Sequence, residues 1–498
     1  MIARILPAVV IALLPFAALA RTPAAVTHHV LLLGGRSLHY TAIAGTITLY
    51  NDKSQPTNTM FFTAYTLDGA DPATRPITFF YNGGPGGSSV WQRMAAFGPV
   101  RVMGGRPGGE TPVAPYRVVD NEYSLLDRTD EVYVDAPGTG FSRLLPHGTA
   151  AGTFGVDQDA RAFAQFIRRF LSDYGRWNSP KYLFGESYGT MRSAVVAHFM
   201  ENGFGQAVQF NGIVLMSSVL NVDLLWDDER LGGNDWPFVL FLPTEAATAY
   251  HYHLADARGE SLQTFLARVE RFALTQYLTT LAEGDDATQA RREAVVERLH
   301  EFIGLSPQLI RNDNLRIRPN DFRSDLLRDR GEVVGYMDTR YAGYDTVGGR
   351  QAPVWDNSDL ATSPAVIAVF NDYVRKELGY RTNLEYLPLT GVELQWDWRH
   401  QTDLGGDAAL LAPPNTIVDL SEAMAENPRM RVFCAEGYFD MSTPFFEQDY
   451  DFAHLHVPPA LRRNLTIEHY ESGHMVYFDP ASLAQIKKDL DRWYEQAP

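Results

Sequence analysis

Apolar residues along this chain gather in two kinds of pattern. Residues 77–81, 131–135, 181–184 and 212–216 form short, nearly unbroken apolar runs, the signature of strands buried on both faces. Between them, Phe163, Phe166, Ile167, Phe170 and Leu171 recur at helical spacing and predict an amphipathic helix, and residues 190–200 give a second helical pattern. Nearer the start, residues 30–33, 38–40 and 45–50 read as short strands separated by glycine turns, and residues 60–65 continue the series. Strands and helices alternating in this way predict an α/β architecture around a largely parallel sheet.

The texture changes after about Asn221. Residues 261–277 and 290–302 read as charged helices separated by Gly284-Asp285-Asp286. Residues 326–344 are polar and irregular, and 364–378 are helical again. The α/β alternation resumes with a helix near 420–425 and a strand at 430–434. The expected organisation is a core formed by residues 21–221 and 412–498, with residues 222–411 inserted as a largely helical cap. The glycine- and proline-rich stretch 104–115 is a loop too short to link domains.

Composition narrows the function classes. A chain of 498 residues with 45% apolar and 21% charged residues can bury a large core. Its net charge of −17 argues against nucleic acid and anionic membrane surfaces as partners. Residues 1–20 read as a cleavable signal peptide: Arg4, an apolar run broken by Pro7, and Ala18-Leu19-Ala20 before the cut. No later apolar run is long enough to span a bilayer, so no stable membrane association is expected of the mature chain. Cys434, the sole cysteine, reads as a small buried hydrophobe. A secreted chain without a possible internal disulfide suits a bacterial periplasm or exterior.

The chemistry starts at Gly185-Glu186-Ser187-Tyr188-Gly189, a G-x-S-x-G between a predicted strand and a predicted helix. That context is a nucleophile elbow, in which a tight turn lifts the serine hydroxyl above the sheet edge. A nucleophilic serine needs a base and an acid to orient it, in the chain order Ser, Asp or Glu, His. Asp440 in Gly437-Tyr438-Phe439-Asp440 and His474 in Gly473-His474-Met475 follow predicted strands in that order. The oxyanion donors should be the Tyr188 N–H and one N–H from the loop Asn82-Gly83-Gly84-Pro85-Gly86. His251-Tyr252-His253 has the spacing of a metal pair but no third ligand nearby, so no metal is called for, and no cofactor either.

Together with Asn82-Gly83-Gly84-Pro85-Gly86-Gly87-Ser88-Ser89 and Asp135-Ala136-Pro137-Gly138-Thr139-Gly140-Phe141-Ser142, these motifs resemble the serine carboxypeptidases of the S10 family, closest to their bacterial branch. The resemblance implies an α/β-hydrolase fold with a helical insertion over the active site, and Ser187, Asp440 and His474 as the triad. It implies Gly84 and Tyr188 as oxyanion donors. It further implies that Asn82, Glu186 and the Gly83 backbone bind the substrate's C-terminal carboxylate, with Met475 lining the pocket of the leaving residue. Two carboxyl groups that close must share a proton, which favours acidic pH. The chain departs from the family pattern at Phe80, where tryptophan is frequent, at Gly87, often cysteine, at Ala96, commonly glutamate, and at Tyr477, where proline is usual.

The expected activity is therefore that of a secreted serine carboxypeptidase acting on peptides with a free C-terminus. A same-fold esterase or acyltransferase shares the triad and remains the alternative, followed by a non-catalytic binding protein.

Overall fold

The computed structural model describes residues 24–109, 111–202, 207–225, 233–344, 353, 355–400 and 414–496. The expected signal segment and the last part of the expected insertion, 401–411, lie outside the described residues.

An antiparallel meander opens the described chain: β1 (Ala25–Leu33), β2 (Arg36–Tyr50) and β3 (Pro56–Leu67). Gly34 and Gly35, at φ 57° and 76°, supply the two left-handed positions of the first hairpin turn. The separate strands expected at 38–40 and 45–50 are one strand. Gly45 does not turn there; it pairs with Phe62, and a Cβ on it would come within 2.9 Å of the Ala24 Cβ.

Next come β4 (Ile77–Tyr81), the small hairpin β5 (Val100–Val102) and β6 (Val118–Asp120), β7 (Asp130–Val134) and β8 (Arg143–Leu144). They are followed by α1 (Val156–Asp173), β9 (Lys181–Glu186), α2 (Tyr188–Glu201) and β10 (Gly212–Met216). The chain then leaves the sheet through α3 (Trp236–His251), α4 (Leu262–Phe272), α5 (Leu278–Glu283), α6 (Gln289–Ile303), α7 (Pro307–Asn312) and α8 (Pro319–Asp325). The stretch expected to be irregular at 326–344 contains a two-stranded hairpin, β11 (Glu332–Val334) and β12 (Ala342–Tyr344), too short to show a period in sequence. After it, α9 (Asn357–Lys376) starts seven residues before the expected 364 and carries Pro364 in its interior. Asp356 begins it by accepting the Ser358 N–H. Back at the sheet lie α10 (Ile417–Glu426), β13 (Arg431–Gly437), α11 (Phe445–Ala453), α12 (Pro459–Arg462), β14 (Leu465–Tyr470) and α13 (Pro480–Glu495).

Among the described residues the sheet has 10 strands in the order β1-β2-β3-β7-β4-β9-β10-β13-β14, with β8 beside β3. Neighbours from β7 to β14 run parallel, and those from β1 to β7 antiparallel. Of the parallel strands, β4 and β10 are near-continuous apolar runs, buried along their whole length because both faces are covered. On β4, Ile77, Phe79 and Tyr81 enter the core shared with α1, α2 and α10, while Phe80 enters the opposite one, shared with α9 and α13. A third core joins α3, α4 and α6 to Phe439, Met441 and Phe445, residues that follow β13. The helices inserted between β10 and β13 are thereby packed against the loop that carries Asp440.

Candidate active site

Ser187 stands between β9 and α2 with φ 60° and ψ −131°, a backbone conformation that a residue with a side chain adopts only when its surroundings enforce it. Both flanking glycines are required by close approach. A Cβ on Gly185 would lie 2.1 Å from the Gly189 carbonyl oxygen, and one on Gly189 would lie 3.0 Å from that of Tyr81. The Ser187 N–H donates to Met216 O at 3.0 Å, which ties the turn to β10.

The loop after β4 lies against this turn. A Cβ on Gly83 would reach 2.4 Å from the Tyr188 nitrogen and 2.9 Å from the Ser187 Cβ. Gly84 follows at φ 114°. The loop is held from outside by a strap at residues 386–398: Ser88 N–H donates to Pro388 O at 2.8 Å, and Thr390 N–H to Gly86 O at 3.0 Å. Farther along that strap, Trp396 and Trp398 meet the Tyr188 ring edge-on at 5.3 and 6.0 Å. His400 pins its end, with Nδ1 2.7 Å from Asp157 and Nε2 2.9 Å from Asp419.

Asp440 and His474 arrive from β13 and β14, and His474 Nδ1 is 2.7 Å from Asp440 Oδ2. Asp440 is fully buried; its Oδ1 accepts the N–H groups of Ser442 and Thr443, and its Oδ2 accepts the Thr443 hydroxyl at 2.7 Å. The His474 backbone is fixed on both sides, its N–H donating to Met337 O and its carbonyl accepting from Ser217 Oγ. Burial alone would lower the His474 pKa. The Asp440 carboxylate, with Glu186 behind it, outweighs burial and holds it above its ordinary value. With Nδ1 committed to Asp440, Nε2 is the nitrogen left to serve a nucleophile. Ser187 Oγ and His474 share no hydrogen bond in this structure, a link that often closes only around substrate.

Glu186, beside the serine, is 1% exposed. Its Oε1 accepts from Asn82 Nδ2 at 2.6 Å and from the Tyr477 hydroxyl at 3.2 Å, while Oε2 has no partner. Burial raises its pKa to about 7 against the opposing pull of the His474 charge and of the Tyr477 and Asn82 hydrogen bonds. A carboxyl group so placed carries a proton at mildly acidic pH and has one oxygen free to engage a second carboxylate.

Several neighbours escaped the sequence reading. Tyr477 stood out only as a departure from a family pattern, yet its hydroxyl contacts Glu186. Its position in the turn at Val476–Phe478, directly after His474-Met475, was the available signal. Gln92, with neither side-chain polar atom hydrogen-bonded, is buried close by, its N–H 3.4 Å from Asn82 Oδ1. Thr443, which braces Asp440, had no sequence signal. Phe80 lies in the core, stacked between Tyr133 and Phe184 at 4.7 and 4.9 Å, and Ala96 is buried with its carbonyl accepting from Asn121. Met475 lines a small cavity with Met337, Asp338, Thr362 and Phe478. His251 packs edge-on against Phe439, and among the described residues it joins no group of potential metal ligands.

The sheet order, the strained serine between β9 and α2, and the paired carboxylate and histidine after β13 and β14 define an α/β-hydrolase. A solved structure of the same fold, the prohormone-processing carboxypeptidase Kex1(Δ)p from Saccharomyces cerevisiae, matches with a TM-score of 0.53 at 16% identity over 91% of each chain. The family model of serine carboxypeptidases (peptidase S10) matches residues 41–227. A serine carboxypeptidase S10 family member 1 of Dictyostelium discoideum is 31% identical over 144 residues, 28% of this chain and 31% of that protein. A carboxypeptidase Y homolog of Arthroderma benhamiae is 36% identical over 117 residues, 23% of this chain and 21% of that protein. The chain thus spans about a third or less of the length of these relatives. The family-model match covers the part of the chain that carries the elbow and the loop after β4.

Proposed function

We propose that this chain is a serine-type carboxypeptidase of the S10 family's bacterial branch, secreted or periplasmic, that removes the C-terminal residue of peptides. The observation that carries this reading is the buried Glu186, hydrogen-bonded to Asn82 and Tyr477 and directly before the nucleophile. A plain esterase has no use for a protonatable carboxyl group there. In this reading the substrate's terminal carboxylate is held by Glu186, Asn82 and the Gly83 backbone, which sets the last peptide bond over Ser187.

His474 Nε2 then takes the Ser187 proton as Oγ attacks the scissile carbonyl carbon. The N–H groups of Gly84 and Tyr188 stabilise the oxyanion that forms. Collapse of this intermediate breaks the C–N bond, and the imidazolium gives its proton to the departing amine. Asp440 stabilises the imidazolium throughout. Water, deprotonated by His474, hydrolyses the acyl-enzyme and returns Ser187 to its free form. Met475 lines the space of the leaving residue, and the helical segment 222–411, which includes the 386–398 strap, narrows access to Ser187.

The test is kcat/KM for a blocked dipeptide with a free C-terminal acid against the same dipeptide as its amide, at mildly acidic pH. The acid should be cleaved at least about tenfold faster, the size expected when a buried partner for one charged group goes unused. Equal rates on both would overturn the reading in favour of a general serine hydrolase.

A further inference from the structure

A group of ligating side chains in the strands leading to Asp440 and His474 takes no part in the chemistry above. The register of β13 and β14 sets Glu436 beside His469, and α11 brings Asp449 to the same place. His469 Nε2 is 3.1 Å from Glu436 Oε2 and 3.1 Å from Asp449 Oδ2. One donor atom from each of the three lies within 4.8 Å of the others. Glu436 is 0% exposed, and its Oε1 has no hydrogen-bond partner. Two more buried carboxyl groups, Glu447 and Asp451, sit on α11. Among the described residues no lysine or arginine pairs with any of these four acids. A buried carboxyl group without a cation beside it takes up a proton, whereas a bound cation would hold it ionised as a ligand.

We propose that Glu436, Asp449 and His469 form a binding site for a divalent transition-metal cation of the zinc class. Ligands held about 2.0–2.2 Å from a tetrahedral ion stand roughly 3.4 Å apart, close to the 3.1 Å spacings of His469 Nε2 from Glu436 and Asp449. One imidazole with two carboxylates suits Zn²⁺ or Mn²⁺, whereas Ca²⁺ requires more oxygen ligands than are gathered. The side chains of His469 and Asp449 are 25% and 32% exposed, which leaves an entry path and a fourth position for water. The Tyr438 ring stacks on His469 at 5.4 Å and begins the loop that carries Asp440. An ion at this site joins β13, β14 and α11 and stiffens the loops of the proposed acid and base without touching substrate. The role is structural, and it stands whether or not the chain is a peptidase.

The experiment is calorimetric titration of the metal-stripped, purified chain with Zn²⁺, in parallel with Glu436→Gln, His469→Gln and Asp449→Asn. One equivalent should bind to the wild type, and each substitution should weaken binding about tenfold to a hundredfold. At a hundredfold excess over the wild-type Kd, Zn²⁺ should raise the melting temperature of the wild type by about 3 °C and that of Glu436→Gln by about half as much or less. Co²⁺ should give the visible absorption bands of a tetrahedral site, a readout that needs no substitution in the core. Should Glu436→Gln fail to fold, Asp449→Asn, at a partly exposed position, and the Co²⁺ spectrum decide. No saturable binding, or equal stoichiometry and affinity in wild type and variants, would overturn the proposal.

Discussion

Glu186 illustrates how burial turns a single carboxyl group into a sensor of pH. Its pKa, raised to about 7 by burial, means that the folded chain binds a proton more readily than the unfolded one. The stability associated with this proton is fully present below the ordinary carboxyl range and is lost as pH rises toward about 7. Glu186→Gln should remove that loss and be more stable than the wild type by about 3 kcal/mol at pH 8, with little difference at pH 4, as measured by urea unfolding. In activity, kcat/KM for free-acid peptides should fall as pH rises through about 7 and the ionised group repels the substrate carboxylate, while the fall is absent for amides and in Glu186→Gln. Tyr477→Phe removes a hydrogen bond that favours the ionised form. It should therefore move the midpoint of that fall upward by about 0.5–1 pH unit; a downward shift would contradict the assigned contact. The Tyr477 contact could not be read from sequence. The G-x-S-x-G motif and the order Ser187, Asp440, His474 are local or ordinal and therefore legible. The meeting of Tyr477 with Glu186 depends on how β14 and β9 are placed in one sheet.

At the scale of elements, the turn at Ser187 concentrates strain that the flanking glycines make possible. Ser187→Gly should be more stable than Ser187→Ala by about 1–3 kcal/mol in chemical denaturation, because glycine accepts φ 60° and ψ −131° without penalty. Both should lose turnover to a small residual rate and label with no fluorophosphonate. Gly83→Ala is a harsher change, since its Cβ would stand 2.4 Å from a backbone nitrogen that cannot rotate away. It should cost more than about 3 kcal/mol, read as a lowered urea midpoint. Legibility follows the same physics. β4 and β10 lie where their apolar runs predicted, because strands covered on both faces have no polar alternation to confuse with a helix. β2 was divided at Gly45, a glycine kept for close packing and not for a turn. Pro364 reads as a helix start in the sequence, yet it lies inside α9, whose start is set by Asp356.

Over the whole molecule, the strap that holds the loop after β4 is anchored by His400 between Asp157 and Asp419. Burial works against its charged form, but the two carboxylates prevail and lift its pKa to about 9. The clamp is at full strength below the ordinary histidine value and is lost as pH rises through about 9. His400→Gln should speed amide exchange across residues 386–398 at pH 6 and change it little at pH 10. The wider consequence concerns the order in which the molecule can be assembled. β10 pairs with β13 in register from Gly212↔Arg431 to Met216↔Ala435, yet a helical segment with its own core separates them in the chain. During synthesis the nucleophile, the loop after β4 and most of the sheet exist before β13 has been made. Until then β10 offers an open, wholly apolar edge, the kind that recruits other chains. A product ending before β13 would carry Ser187 without the proposed acid and base, and is expected to precipitate where the longer chain stays in solution. The late strands thus carry the proposed acid and base and also form the seal that keeps unfinished molecules apart.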